Sequence, residues 1–242
     1  MVCGLMAGVA GPGCSFDSDP DPLIVFAASS LTDAFKELTV QYEASSGNKV
    51  ILVTASSSAL REQILDGAPA SVIASANEAA LQELDANGFI DQKAKIFAQN
   101  RLVIAVAIGN PLGIDSLEDL ARNDVVVGAC SPGVPCGRLA GQIFARIGVS
   151  PELDTREPNA RQVLAKLVDG ELDVGLVYAS DVVAGDGRLQ AIRIDGTIDM
   201  VAKYPIATLS NSADSVIAEE FVSWVLSDAG QSVLQKHGFE LP

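Results

Sequence analysis

The chain has 242 residues, 48% hydrophobic and 19% charged, a globular composition with enough length for one large domain or two lobes of ordinary size. Its net charge of −15, with no run of Lys or Arg, excludes the basic footprint of a nucleic-acid binder and argues against an anionic membrane surface as partner. A small anion is not excluded, because local dipoles rather than net charge decide a buried site.

Residues 1–14 are apolar and small, and the first basic residue is Lys36. The stretch reads as the tail of an export signal ending at Cys14. A Cys after small residues, followed by the polar linker Ser15 to Pro22, is similar to a bacterial lipoprotein cleavage site, which makes Cys14 the candidate for lipidation. Gly11 departs from that pattern, where Leu is usual; an ordinary N-terminal tail is the other reading. No later segment offers the run of about 18 apolar residues that a spanning helix needs, so the membrane enters only through such a lipid anchor.

From Leu23 onward, short apolar strands alternate with amphipathic helices. Leu23 to Phe26 reads as a buried strand, and Leu31, Ala34, Phe35, Leu38 and Tyr42 then recur at helical spacing. Ser30, with Asp33 three residues on, is placed like a capping box. The predicted elements continue with a strand at 50–54, a helix at 57–65, a short strand at 71–75 and a helix at 77–87 stopped by Gly88. A longer apolar run follows at 102–108, then a helix opened by a cap-like Asp115-Ser-Leu-Glu118, a strand at 125–128 and a helix at about 137–147. Asn159 with Gln162 opens a helix that runs to Asp169-Gly170, and Val174 to Val177 is a strand ending at Tyr178. Strand candidates at 189–194 and 200–209 and a helical tail at about 212–237 complete the chain. Repeated strand–helix alternation predicts an α/β fold with largely parallel sheets.

Ligands of open α/β sheets sit beyond the carboxyl ends of the strands. That singles out Ser29–Ser30, Ser56–Ser58, the 130–137 loop, Asn159–Ala160 and Tyr178 as one group. None is an acid, a base or a cation. Backbone N–H groups and hydroxyls suit a fully ionised tetrahedral anion, which has acceptors and no protons to give. Each residue also has a plain structural role open to it: Ser30 as a helix cap, Tyr178 as a half-buried residue at a strand end. Of the four cysteines, Cys130 and Cys136 bracket a Pro/Gly loop, where a small disulfide or two quiet thiols are both open; with one His in the chain a zinc site is not expected.

Four stretches in register resemble the periplasmic molybdate-binding proteins, the substrate-capturing components of ABC importers. They are Val-Phe-Ala-Ala-Ser-Ser-Leu-Thr (25–32), Ala-Ser-Ser-Ser-Ala-Leu (55–60) with Gly-Ala-Pro-Ala (67–70), Gly-Val-Pro-Cys-Gly (133–137) and Gly-Leu-Val-Tyr-Ala-Ser-Asp (175–181). The resemblance spans residues 23–242. It implies a two-lobed type II binding-protein fold, each lobe a mixed, mostly parallel sheet flanked by helices. Lobe I would comprise 23–104 plus 207–242 and lobe II 105–206, after a signal-like segment at 1–22. The chain would cross between lobes near Val103–Ile108 and Lys203–Thr208. Carried over by position, Ser30 and Ser57 would donate hydroxyl and N–H groups, Cys136 and Ala160 backbone N–H groups, and Tyr178 its hydroxyl. The ligand would be molybdate or tungstate, with molybdenum present only as the bound anion and no cofactor. The partner would be an ABC permease, and the protein an exported monomer. Ser71-Val72-Ile73 and Asn77 depart from the usual family residues at positions that support the lobe.

The rivals are a binder of another solute, a hydrolase and a regulator's effector domain. Sulfate would use the same donors. Ferric iron would want several Tyr, His or carboxylate ligands, and the chain has three Tyr and one His. A serine or cysteine hydrolase lacks Gly-x-Ser-x-Gly, and His237 reads as a surface or helix-end residue. A transcription regulator lacks a DNA-binding segment before residue 23.

Overall fold

The computed structural model describes residues 21–242. The lipidation candidate Cys14 and nearly all of the signal-like segment lie outside the described residues. Two five-stranded sheets form, each flanked by helices.

The first sheet is built on β1 (Leu23–Ala28), whose near-continuous apolar run suits a central strand buried on both faces. It pairs in parallel with β2 (Val50–Ala55) and β3 (Val72–Ala74). Between them lie α1 (Thr32–Ser46) and α2 (Ser57–Leu65); α3 (Glu78–Ala86) follows β3. Phe35, Leu38 and Tyr42 form the inner face of α1, and Gly47 ends the helix in the left-handed conformation. β4 (Lys95–Asn100) closes the far edge.

After β4 the chain changes sheet. β5 (Leu102–Ala107), β6 (Val127–Cys130), β7 (Thr155–Glu157), β8 (Val174–Tyr178) and β9 (Leu189–Ile192) make the second sheet, in the order β7-β6-β8-β5-β9. α4 (Pro135–Ile147) follows β6, α5 (Ala160–Asp169) follows β7 and α6 (Ala179–Ala184) follows β8. β10 (Ala202–Thr208) returns to the first sheet between β3 and β4. α7 (Ser215–Leu226) and α8 (Asp228–Lys236) then pack on the first lobe, where Phe221 meets Phe35 and Tyr42 at ring distances of 6.3 and 5.1 Å.

Several expectations are corrected. Parallel pairing does not dominate: β5 and β10 each pair antiparallel with both neighbours, which balances the four parallel pairings around β1 and β6. β5 lies wholly in the second sheet and β10 wholly in the first. The changes of sheet therefore fall at Arg101 and between 193 and 201, earlier than the crossings expected at 103–108 and 203–208. The periodicity of an apolar run marks a strand but not the sheet it joins. Ser30 and Asp33 form no capping box; a 3-10 turn over Ser29–Leu31 leads into α1 without a side-chain cap. Ser30 instead bonds to Tyr204 and Asp33 pairs with Arg161. The segment after Asp115 makes only a 3-10 turn, Glu118–Ala121. There Asp119 accepts the N–H groups of Asp115 and Ser116, both at 2.9 Å, and closes the turn on itself. β6 runs two residues later than predicted, so it ends on Cys130.

Candidate functional site

The strand-to-helix turns of both sheets meet in one cavity. From the first lobe it is lined by Ser30, Ser57 and Ala76, and from the second by Cys136, Ala160 and Tyr178, with neighbours of each. All five positions selected from the sequence are thus brought together. The centre of a water-sized sphere can range over about 10 Å³ within it, roughly the room for one water. No charged residue lines it. Two larger grooves, of about 440 and 420 Å³, lie elsewhere along Glu78–Ile96 and Arg193–Ile198; they hold none of the five positions.

Each wall is prepared by local chemistry. Ser56 caps α2 by accepting the Ala59 N–H, and the next residue, Ser57, is buried at the start of the helix. Its Oγ accepts the Ala76 N–H at 2.9 Å, so its own proton is left for another acceptor. Asn159 caps α5 in the same way, on the N–H of Gln162, and Ala160 opens that helix. Cys136 stands in the first turn of α4, behind Pro135. First-turn N–H groups have no acceptor within their helix, and the helix dipole makes them favourable to an anion.

The α4 turn is held in two ways. A disulfide joins Cys130, at the end of β6, to Cys136, with Cα atoms 5.7 Å apart; of the two states left open by the sequence, the bridged one is found. Gly137 lets the loop lie flat on the helix start, because a Cβ there would fall 1.9 Å from the Ser131 carbonyl oxygen.

Tyr178 ends β8 and is 1% exposed. Its buried hydroxyl has no hydrogen-bond partner among the described residues. The Tyr204 hydroxyl is close enough to influence it, but the pair does not reach hydrogen-bond geometry. Burial, reinforced by the charge of Asp181, holds the Tyr178 phenol above its ordinary range, so it is a neutral O–H donor. Asp181 accepts the Tyr178 N–H at 3.0 Å on one oxygen, and its other oxygen has no partner among the described residues. Burial pushes its carboxyl up to about 7, partly opposed by Arg161.

The lobes are closed over the cavity. Ser58 Oγ donates to the Gly133 carbonyl at 2.9 Å, and Arg161 pairs with Asp33 at 2.8 Å. Arg138 reaches Ser58 Oγ at 3.4 Å. His237 sits at the end of α8, 2.8 Å from Glu37 and outside the cavity. Among the described residues no cluster of His, Cys, Asp and Glu is arranged to hold a metal ion. Sequence reasoning did not single out Tyr204 or Asp181. The first lay in a predicted strand with no motif. The second closed the last of the four stretches but was assigned no role.

Residues 23–240 match the family described as bacterial extracellular solute-binding protein. The molybdate-binding protein ModA of Mycobacterium tuberculosis is 34% identical over 247 residues, covering 100% of this chain and 95% of the relative. The chain belongs to the bacterial extracellular solute-binding proteins. Among solved structures, the periplasmic molybdate-binding protein of Azotobacter vinelandii superposes with a TM-score of 0.80 at 21% identity, over 91% of this chain and 99% of that one. The sulfate-binding protein SubI of Mycobacterium tuberculosis gives 0.81 at 18% identity, over 91% and 86%. At these identities the two structures speak for the two-lobed solute-binding fold alone.

Proposed function

We propose that this solute-binding protein captures molybdate, and with it tungstate, between its lobes and presents it to an ABC importer. The observation that carries the reading is the cavity: buried, without a charged group in its wall, and closed by the unpartnered hydroxyl of Tyr178. A tetrahedral dianion would accept from the hydroxyls of Ser30, Ser57 and Tyr178 and from the N–H groups of Cys136 and Ala160. It would meet donors from both lobes and so hold them together. The Mycobacterium tuberculosis relative named as a molybdate-binding protein supports the choice of anion. With room for about one water, the cavity would have to widen slightly for a bare tetrahedral anion and far more for an organic phosphate.

The role is capture and delivery rather than catalysis. The closed form would be the one a permease recognises. The protein would act as a monomer outside the cytoplasmic membrane, with Cys14 as its lipid anchor. Sulfate is the second reading, because it would use the same donors and the sulfate-binding SubI shares the fold. Isothermal titration of residues 23–242 with molybdate, tungstate, sulfate and phosphate at pH 7 tests the proposal. One-to-one binding of the first two with little heat from the others is expected. Preferred binding of sulfate would change the substrate, and silence with all four would overturn the reading.

A further inference from the structure

Tyr204 belongs to none of the four sequence stretches, yet it is fully buried in β10 behind the cavity. Its ring packs edge-on against Tyr178 at 5.9 Å and Phe239 at 5.4 Å. Its hydroxyl lies 2.9 Å from Ser30 Oγ, and from that pair alone either oxygen could be the donor. The relative acidity of the two hydroxyls decides.

A phenol is far more acidic than an aliphatic hydroxyl and is the stronger donor of the two. A hydroxyl has one proton, and Tyr204 gives its proton to Ser30 Oγ. Ser30 is then left with its own proton directed away from Tyr204, on the side of the cavity it lines.

We infer that Tyr204 is a positioning residue that holds the Ser30 hydroxyl as a donor toward the bound oxyanion. The inference rests on the oxyanion reading of this cavity. It extends that reading to specificity: a Ser30 fixed as donor serves a fully ionised anion, whereas a freely turning hydroxyl can also accept the proton of hydrogen phosphate.

The test is titration of the wild type, Ser30→Ala, Tyr204→Phe and the double variant with molybdate at pH 7 and with phosphate at pH 6. Tyr204→Phe keeps the ring and should weaken molybdate about five- to tenfold, as for a hydrogen bond whose partner is no longer oriented. In the Ser30→Ala background the same change should have almost no further effect, while with Ser57→Ala the losses should multiply. Tyr204→Phe should also narrow the preference for molybdate over phosphate. Ser30→Ala removes the directed donor itself and should narrow that preference in the same direction. This second variant serves if Tyr204→Phe does not fold. Equal fold-losses with and without Ser30, or an unchanged anion preference in the folded variants, would overturn the inference while wild-type binding leaves the oxyanion reading standing. A wild type that binds none of these anions would overturn both.

Discussion

Tyr178→Phe separates ligand contact from packing. The Tyr178 hydroxyl is buried and has no acceptor among the described residues. A buried polar group without a partner costs about 1–3 kcal/mol. Deleting that oxygen while keeping the ring should therefore leave the unliganded protein as stable as the wild type, or more stable. With about 2–4 °C of melting temperature per kcal/mol for a chain of this size, a rise of a few degrees is the upper expectation. Binding should move the other way. A hydrogen bond to a charged group contributes about 1.5–3 kcal/mol, so the variant should lose roughly 10- to 150-fold in molybdate affinity. Thermal melting without ligand and calorimetric titration with it read the two effects separately. A melting temperature lowered by several degrees together with an unchanged dissociation constant would refute the reasoning, since the hydroxyl would then be structural.

Three further perturbations have distinct signatures. Ser57→Ala should lower both quantities, because it removes a donor to the anion and also leaves the buried Ala76 N–H without its acceptor; about 1–3 kcal/mol of stability should go with the affinity, and melting compared with titration checks it. Asp181→Asn should flatten the pH dependence of stability. The native carboxyl titrates near 7, above its ordinary 3.8, so the folded state holds the extra proton between these values. Wild-type stability attributable to this group is then full below about pH 4 and falls as pH rises toward 7, a slope that denaturant melts from pH 4 to 7 should find reduced in the variant. Replacing Cys130 and Cys136 together by alanine should lower stability by about 2 kcal/mol. It should also weaken molybdate, because the turn that presents the Cys136 N–H is no longer tied to β6; parallel melting and titration would show the two losses together.

Local chemistry carried the sequence reading where local chemistry decides the structure. The helices at Ser57 to Leu65 and after Asn77, and the opening of a helix by Asn159, form as predicted, because an Asx or Ser side chain meets an orphan N–H within three residues. The five site positions converge because strand ends of α/β sheets converge. What could not be read was set by distant partners. Ser30 has a plausible local cap in Asp33, but a tyrosine 174 residues away takes its hydroxyl. Asp33 likewise turns to Arg161 across the cleft. The apolar run of β10 shows a strand, while its place between β3 and β4, and hence the point where the chain changes lobe, depends on pairing that periodicity does not encode.

The claim that a molybdate-class anion is held between the lobes by neutral donors is tested most directly by a crystal structure of the protein grown with molybdate, with the molybdenum located by its anomalous scattering. A single peak is predicted in the cavity between Ser57 and Tyr178. Its oxygens should lie within hydrogen-bond distance of the Ser30, Ser57 and Tyr178 hydroxyls and of the Cys136 and Ala160 nitrogens. A peak elsewhere, or an anion in the cavity held by Arg138 or Arg161 instead of these donors, would contradict it.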